Sequence, residues 1–467
     1  MLIVDVEPLA VNYFWTPADL HLHSTFALDG RFTPAELATR LANRGYAIGY
    51  ITDEPAGQYI TTQPLAPLMS GTGRRGAWPI PAMGTNIWLT DIFGSNRAQY
   101  LPWLATWETY RDTVRAASTA QVAMFPGLEV AASTVNQSHT EHNGHALAYG
   151  IRDLVGWGSF DTAGLRYNWF LPDNLLSNIN ANRLGWSSAT IAHPTGHFEW
   201  DAWSVPGSPG GVINARYDGF ELMSGVQTSF CPSSAHVGRW RQEIVARLSN
   251  AFAGQGFPSA RTGSDWGGAG SEFFGISYFT FIGLPSWTSD MRHLLQDTVS
   301  VSLRAGRTVA SRLGGFATLR LRNAQGVLQE IGSQFTMSAN ATVIGEIVLR
   351  AARAGSYTVR IIENYVGNTG QNSVPAFQGS TVTTRGLVAG QTVIIPVSFR
   401  FDGGQRAYHV VVEHVGGEAE LADTIYTSPI FIRQQQRSNI SCRLFLPQGV
   451  GRWCNSSPSA YPCLYTE

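Results

Sequence analysis

The spacing of apolar residues changes along the chain. Up to residue 306, short continuous apolar runs alternate with segments in which apolar residues recur every three to four positions. This alternation is typical of strands that are followed by helices. From residue 307 the apolar residues recur at every second position, and Gly-rich turns separate the runs. A period of two is typical of strands that bury one face.

The chain is therefore predicted to contain two folded parts of different classes and a tail. Residues 1–306 fit an α/β architecture, and we expect their mostly parallel sheet to close into a barrel. Two aromatic-rich stretches, 55–105 and 152–186, are predicted loop insertions in that part. Residues 307–433 predict an antiparallel β-sandwich. The tail, 434–467, is irregular and contains cysteines.

Residues with metal-binding side chains stand at the ends of the predicted barrel strands, where barrel chemistry gathers. His21 and His23 are two positions apart, so both imidazoles point to one face of a strand. Later apolar runs end near Glu129 and at His193, and Asp265 follows a Gly-Ser pair. A sixth candidate, His145, differs because it precedes its apolar run.

Five short motifs occur in the order found in the polymerase and histidinol phosphatase (PHP) family of metal-dependent hydrolases, which this chain resembles. They are His21-Leu-His23, Pro126-Gly-Leu-Glu129, His145, Ala192-His193-Pro194 and Gly263-Ser264-Asp265. A single acid or histidine at a strand end is more often a hydrogen-bonded structural residue than a ligand. Six of the right types in the family's order favour a metal centre. The resemblance implies a distorted (β/α)7 PHP barrel, followed here by the sandwich.

The resemblance also implies how the ligands divide between two divalent metal ions. One ion would be bound by His21, His23, Glu129 and Asp265. The other would be bound by Glu129, His145 and His193, so that Glu129 bridges them. Imidazole and carboxylate ligands suit Zn, Mn or Fe.

Three residues are predicted to take part in catalysis. A water that bridges two metal ions loses a proton near neutral pH and becomes the nucleophile, so Glu129 acts through the ions that it holds. Asp265 is a predicted ligand and proton acceptor for that water. His197, four residues after His193, is a candidate to orient substrate or to donate a proton, and the alternative is a surface position or a supporting contact with a ligand.

Two departures from the family's pattern concern a third metal ion. Glu54 stands where the family usually has a histidine, and Gly267 stands where it has another. Asp29 and Glu54 remain candidate ligands, but a glycine has no side chain with which to ligate. We therefore expect two metal ions, with a third site weak or absent.

The low charge content and the near-zero net charge of the chain argue against nucleic acid as a partner. Charged residues make up 14% of the 467 residues, and the net charge is -1, whereas about 25% is usual. No basic surface for nucleic acid is expected. No apolar run reaches the roughly 18 residues of a membrane-spanning helix. The tail cysteines, Cys442, Cys454 and Cys463, favour a periplasmic or secreted location if two of them form a disulfide, but free thiols fit equally well.

The sequence favours one function and leaves two alternatives open. Few arginines lie near the motifs, and the insertions are neutral and aromatic, which favours a small uncharged substrate. The barrel, the Leu303-Arg-Ala-Gly-Arg307 motif and the β-rich second part resemble the CehA/McbA branch of the PHP family, which includes aryl carbamate hydrolases. We predict that a metal-bridging hydroxide hydrolyses a carbamate or carboxylic ester. The alternatives are a phosphoesterase using the same site and a PHP-derived binding or structural protein without catalysis.

Overall fold

Strands dominate the part of the chain that the structure describes. The computed structural model describes residues 13–26, 30, 32–53, 108–131, 145–151, 158–161, 166–169, 176–177, 179–180, 183–193, 216–224, 234–248, 257–265, 278–366, 382–415, 423–435, 441–442 and 454–455. The helices within these residues are α1 (Pro34–Asn43), α2 (108–116), α3 (Ser234–Arg247) and α4 (Gln296–Arg304), with a short 3-10 helix at Met291–His293 and further helical residues at 176–177 and 179–180.

The strands up to residue 312 are β1 (Phe14–Leu22), β2 (Ile48–Ile51), β3 (Ala123–Ala131), β4 (His145–Ile151), β5 (Gly158–Asp161), β6 (Arg166–Trp169), β7 (Arg183–Ala192), β8 (Gly219–Ser224), β9 (Ser259–Gly263), β10 (Tyr278–Leu284) and β11 (Thr308–Arg312). The later strands are β12 (Phe316–Arg322), β13 (Leu328–Glu330), β14 (Gln334–Met337), β15 (Thr342–Arg350), β16 (Gly355–Tyr365), β17 (Val382–Leu387), β18 (Thr392–Arg400), β19 (Gln405–Val415), β20 (Thr424–Thr427), β21 (Ile430–Gln434), β22 (Ser441–Cys442) and β23 (Cys454–Asn455).

The predicted (β/α)7 PHP barrel is wrong. Fifteen of the described strands form one mixed sheet, in the order β14-β21-β19-β20-β11-β10-β1-β2-β3-β4-β7-β8-β9, with β16 and β17 joined through β19. Strands β3, β4 and β7 pair antiparallel, as do β1, β10 and β11. The four described helices are too few to follow each strand. Apolar spacing predicts where a strand lies, but it carries no information about the strand's direction.

Two groups of parallel strands retain part of the expected alternation. β1, β2 and β3 are parallel, and α1 connects β1 to β2. β7, β8 and β9 are also parallel, with α3 between β8 and β9. Helix α1 begins with a reciprocal cap, because Thr33 Oγ1 accepts from the Glu36 N–H and the Glu36 carboxylate accepts from the Thr33 N–H. The helix buries Leu37 and Leu41 in the core.

The sheet curls until β9 lies against β1. The Asp265 N–H donates to the His21 carbonyl at 2.8 Å, and the Ser264 N–H donates to the Asp19 carboxylate at 3.0 Å. Gly263 permits this approach, since a Cβ at that position would lie 2.3 Å from the His21 Cβ. The end of β9 is thereby fixed beside the end of β1.

The second part of the chain is compatible with the predicted sandwich. Strands β13-β12-β15-β18 form a separate antiparallel sheet, and its buried residues share one apolar core with β16, β19 and β20 of the large sheet. Exposure alternates along β18, as a period of two predicts. Hydrogen bonding continues past residue 306, since β11 pairs with both β10 and β20. The boundary at 306/307 remains a prediction.

Several predictions concern residues that are wholly or partly outside the described ranges. The insertion at 55–105 lies outside them, and the one at 152–186 contributes the paired strands β5 and β6. In the tail, the backbone of Cys442 lies opposite that of Cys454 in the β22–β23 pair. No helix within the described ranges combines the length and apolar composition needed to cross a membrane.

Candidate metal centre

Six polar side chains meet at one end of the curled sheet. They are four imidazoles and two carboxylates carried by different strands: His21 and His23 at the end of β1, Glu129 in β3, His145 at the start of β4, His193 after β7 and Asp265 after β9. Five are buried, and the Asp265 side chain is 12% exposed. The structure therefore brings together the six residues that were predicted to bind the two metal ions.

The Glu129 carboxylate divides the imidazoles into two pairs. Its Oε1 lies 2.5 Å from His145 Nδ1 and 3.0 Å from His193 Nε2. Its Oε2 lies 3.1 Å from His21 Nε2 and 3.0 Å from His23 Nε2. Each oxygen thus faces its own pair of nitrogens, which is the arrangement expected of a carboxylate shared by two neighbouring cations.

Asp265 joins one of these pairs. Its Oδ1 lies 3.3 Å from the Nε2 atoms of both His21 and His23, while Oδ2 lies 4.0 Å from His193 Nε2. The residues that can hold a metal ion form two groups, His21-His23-Glu129-Asp265 and Glu129-His145-His193. In each group the donor atoms lie within 4.8 Å of one another. Metal–ligand bonds of about 2.0–2.2 Å place donors roughly 3–4.4 Å apart, so the spacing is close to that of a metal site.

The donor chemistry also fits a metal ion. His21 Nε2 is buried and makes no hydrogen bond within the described residues, although Glu129 and Asp265 oxygens lie 3.1 and 3.3 Å away. The ion pairs described for Glu129 and Asp265 are with histidines, which are neutral unless protonated. Buried carboxylates require compensating positive charge, and an imidazole–carboxylate set suits Zn, Mn or Fe.

The carboxylates change the proton affinity of two histidines. Burial by itself lowers the pKa of His21, but the charges of Asp265, Glu129 and Glu221 outweigh it and hold the pKa well above 6.5. For His193, burial is likewise outweighed by the Glu129 hydrogen bond and nearby negative charge, so its pKa is raised. Protons on these two rings therefore offset part of the negative charge of the buried carboxylates.

Two other donors, His145 and Asp265, keep the forms that ligation requires. Burial lowers the pKa of His145, which favours its neutral ring. Burial raises the pKa of Asp265, but the His21 charge and a hydrogen bond with His23 outweigh this effect and bring the pKa to about 2. Ligating imidazoles are neutral and ligating carboxylates are ionised.

The backbone around the donors is tightly held. The Thr52 N–H donates to the Leu22 carbonyl at 2.8 Å, and the Glu129 N–H donates to the Thr52 carbonyl at 3.0 Å, so β1, β2 and β3 remain connected up to the site. His193 and Asp265 have φ angles of 22° and 50°, among only four positive values for non-glycine residues in the described ranges. Such strain concentrates at functional sites.

Two further buried acids brace the turn after β1. Asp53 accepts hydrogen bonds from the backbone N–H and the hydroxyl of Ser24. Asp19 accepts from the backbone N–H groups of His21 and Ser264. Burial raises the pKa of Asp19 to about 6, against the opposing effect of these hydrogen bonds.

Glu221 also contacts the candidate ligands, and the sequence reasoning missed it. In β8, its Oε1 lies 3.2 Å from His21 Nδ1, and its Oε2 accepts from the His193 backbone N–H at 2.8 Å. The available signal was an acid within the apolar run that includes Phe220 and Leu222. A buried acid in such a run needs a partner.

Asp29, Glu54 and His197 lie outside the described residues, so their roles remain predictions. His409 is buried against Trp240, with ring centroids 4.7 Å apart, and belongs to neither ligand group.

Comparisons with known proteins assign no family to the chain. No family model and no curated protein matches it. A match among solved structures is the N-terminal domain of PorA, at 11% identity and a TM-score of 0.15, covering 25% of this chain and 97% of that chain. A likeness at this TM-score supports no argument about function.

Proposed function

We propose that the chain is a metal-dependent hydrolase that acts on a small neutral substrate with a carbamate or carboxylic ester bond. The observation that carries the proposal is the Glu129 carboxylate, whose two oxygens each face a separate pair of imidazole nitrogens. Two divalent ions, when bound, would supply Lewis acidity that lowers the pKa of water and polarises a carbonyl group. The two groups that meet at Glu129 would hold these ions.

Asp265 is the residue of the cluster best placed to meet substrate and water. Its side chain is 12% exposed, whereas the Glu129 side chain is 2% exposed. Its Oδ1 faces His21 and His23, and its Oδ2 lies farther from the nearest imidazole described, His193. With a pKa of about 2, the carboxylate is ionised at neutral pH. Oδ2 can therefore accept a proton from an attacking water.

The described arginines in or just before the parallel strands β8 and β9 favour a neutral substrate over a phosphate ester. Arg261 is buried and donates to the Thr190 hydroxyl at 2.5 Å and the Leu303 carbonyl at 2.7 Å. Arg216 lies 3.6 Å from the Asp218 carboxylate. Phosphate recognition commonly uses convergent arginines with free donors. Phosphoester hydrolysis is the second candidate, because a shared carboxylate between two metal sites also suits in-line displacement at phosphorus.

A substrate screen on reloaded protein tests the proposal. The chain is stripped with a chelator, supplied with Mn or Zn, and assayed with a naphthyl carbamate, naphthyl acetate and a nitrophenyl phosphate. We expect cleavage of a naphthyl ester, loss of activity with chelator and recovery with metal. Glu129→Gln should lose this activity, whereas the matched control Glu346→Gln, in β15 where Glu346 pairs with Arg320, should keep it.

Each other outcome rejects a defined part of the proposal. Cleavage of the phosphate alone would replace it with the phosphoesterase alternative. Tight metal binding without hydrolysis of any probe would support a non-catalytic binding protein. Failure to bind a divalent metal would reject both enzymatic functions.

A further inference from the structure

We infer that Glu221 is a positioning residue of the candidate metal centre, because one carboxylate fixes the side chain of His21 and the backbone of His193. The inference rests on the proposed function, and it names a residue that is a ligand in neither group. Glu221 is 1% exposed, so water does not compete strongly for its two oxygens.

The first contact sets which nitrogen of His21 can ligate. Glu221 Oε1 lies 3.2 Å from His21 Nδ1, while Nε2 on the other side of the ring faces Glu129 and Asp265. A neutral imidazole carries one proton, and an ionised carboxylate can only accept. When the His21 ring is neutral, Glu221 therefore retains the proton on Nδ1 and leaves the Nε2 lone pair for a metal ion, as carboxylate partners of ligating histidines do.

The second contact holds a strained backbone. Glu221 Oε2 accepts from the His193 N–H at 2.8 Å. His193 has a φ of 22°, a conformation that the surrounding structure must stabilise in a non-glycine residue. The same residue places its Nε2 3.0 Å from Glu129 Oε1. Glu221 thus contacts one residue of each ligand group.

A neighbouring glycine provides the space for this arrangement. A Cβ at Gly263 would lie 2.8 Å from Glu221 Oε1 and 2.3 Å from the His21 Cβ. Strand β9 therefore needs a glycine at position 263, where it passes the contact between Glu221 of β8 and His21 of β1. Three strands together build the position of the His21 ring.

Glutamine at position 221 cannot reproduce both contacts. Its side chain has nearly the same shape, but it offers one acceptor oxygen and an NH₂ donor in place of two acceptors. It faces two N–H donors, so either His21 or His193 loses its acceptor. Loss of such a partner weakens metal binding by about 10- to 100-fold. Glu221→Asp retains two acceptors on a shorter side chain and should recover part of the affinity.

Metal affinity measured on the full chain tests the inference. Metal-free protein is titrated with Zn²⁺ or Co²⁺ against a chromophoric chelator, and thermal unfolding without metal reports on the fold. We expect Glu221→Gln to retain its fold, to bind Zn²⁺ about 10- to 100-fold more weakly, and to change the visible Co²⁺ spectrum. Glu243→Gln is the matched control, since Glu243 is a fully buried carboxylate that accepts from Tyr217 outside both ligand groups.

The outcomes separate this inference from the proposed function. Failure of the wild-type chain to bind metal would reject the proposed function. Tight binding by the wild type, with an unchanged dissociation constant and Co²⁺ spectrum in Glu221→Gln, would overturn the inference alone. If Glu221→Gln does not fold, the Zn-loaded wild-type crystal structure decides the question: ligation by His21 Nε2 supports the inference, and ligation by Nδ1 overturns it.

Discussion

Replacing Glu129 by glutamine removes the one anion that faces all four imidazoles of the cluster. The two carboxylate oxygens lie between 2.5 and 3.1 Å from the four ring nitrogens. The amide is nearly isosteric and still offers one acceptor, so the fold should persist. The amide is uncharged and has a single oxygen, so it cannot ligate two metal ions equally.

The size of the effect follows from the burial of the site. Removing one partner of a buried ion pair costs about 3–5 kcal/mol, because the remaining charge is left uncompensated. Since about 1.4 kcal/mol corresponds to a tenfold change in a dissociation constant, Glu129→Gln should weaken metal binding by roughly 10²- to 10⁴-fold. Hydrolysis at limiting metal concentration should fall by a similar factor.

The metal-free form provides a separate measure of stability. Burial alone raises the pKa of Glu129, but the charge of His21 and the hydrogen bonds with His145 and His193 outweigh burial and hold the pKa well below 4.5. The ionised carboxylate therefore stabilises the metal-free fold at neutral pH, so glutamine should lower its melting temperature as well. Thermal unfolding with and without metal separates this loss from the loss of ligation.

The assay measures stoichiometry, affinity and turnover on the same samples. Competition with a chromophoric chelator gives the dissociation constant for each ion, and elemental analysis gives metal content. Glu346→Gln is again the control for the chemical change. A shared anion requires both ions to be weakened together, so loss of one ion with wild-type affinity for the other would refute the bridging role. Full activity with metal still bound would show that the site is misplaced, and a trapped acyl-enzyme would identify a side-chain nucleophile.

Three other predictions follow from the same contacts. Asp265→Asn should lower the affinity for the ion bound by His21 and His23 more than the affinity for the other ion. It should also reduce turnover by about 10²- to 10⁴-fold through loss of a proton acceptor. Chelator competition and steady-state kinetics measure the two effects, and an equal loss of affinity for both ions would contradict the prediction. The melting temperature of the metal-free protein should fall as the pH rises above 6.5. The pKa values of His21 and His193 are raised in the folded state, so their protonation stabilises the fold below pH 6.5 and this stability is lost as the pH rises through the folded pKa values. A melting temperature that rises in this pH range would contradict the prediction. His409→Ala should lower stability by removing a buried ring from Trp240, yet leave metal content unchanged; loss of a metal ion would place His409 in the site.

The donor residues were more predictable than the fold that positions them. The spacing of His21 and His23 places two imidazoles on one face of any strand, whatever sheet that strand joins. Glu129 and His193 end or follow apolar runs, and these runs are strands in the structure. These ligand positions are predicted correctly even when the strand topology is wrong, because they depend on strand periodicity and not on strand direction.

The role of Glu221 could not be predicted from the neighbouring sequence. Its contacts are with residues 200 positions and 28 positions away in the chain. They exist because β8 is parallel to β7 and the sheet curls until β9 lies beside β1. Neither the pairing of β8 nor the curl of the sheet is encoded in the spacing of apolar residues around Glu221. A positioning acid can therefore be identified only once the strands are in register.

His145, the exception among the predicted ligands, is explained by the largest error in the predicted fold. In an all-parallel barrel, the start of a strand lies at the opposite end from the catalytic edge, so a ligand that precedes its strand is out of place. In the structure, β4 runs antiparallel to β3 and β7, and His145 is paired with Ala131 near the end of β3 and with Ala192 at the end of β7. The start of β4 therefore lies at the same edge as Glu129 and His193. The reversed strand that excludes the parallel barrel is the feature that brings His145 Nδ1 within 2.5 Å of Glu129.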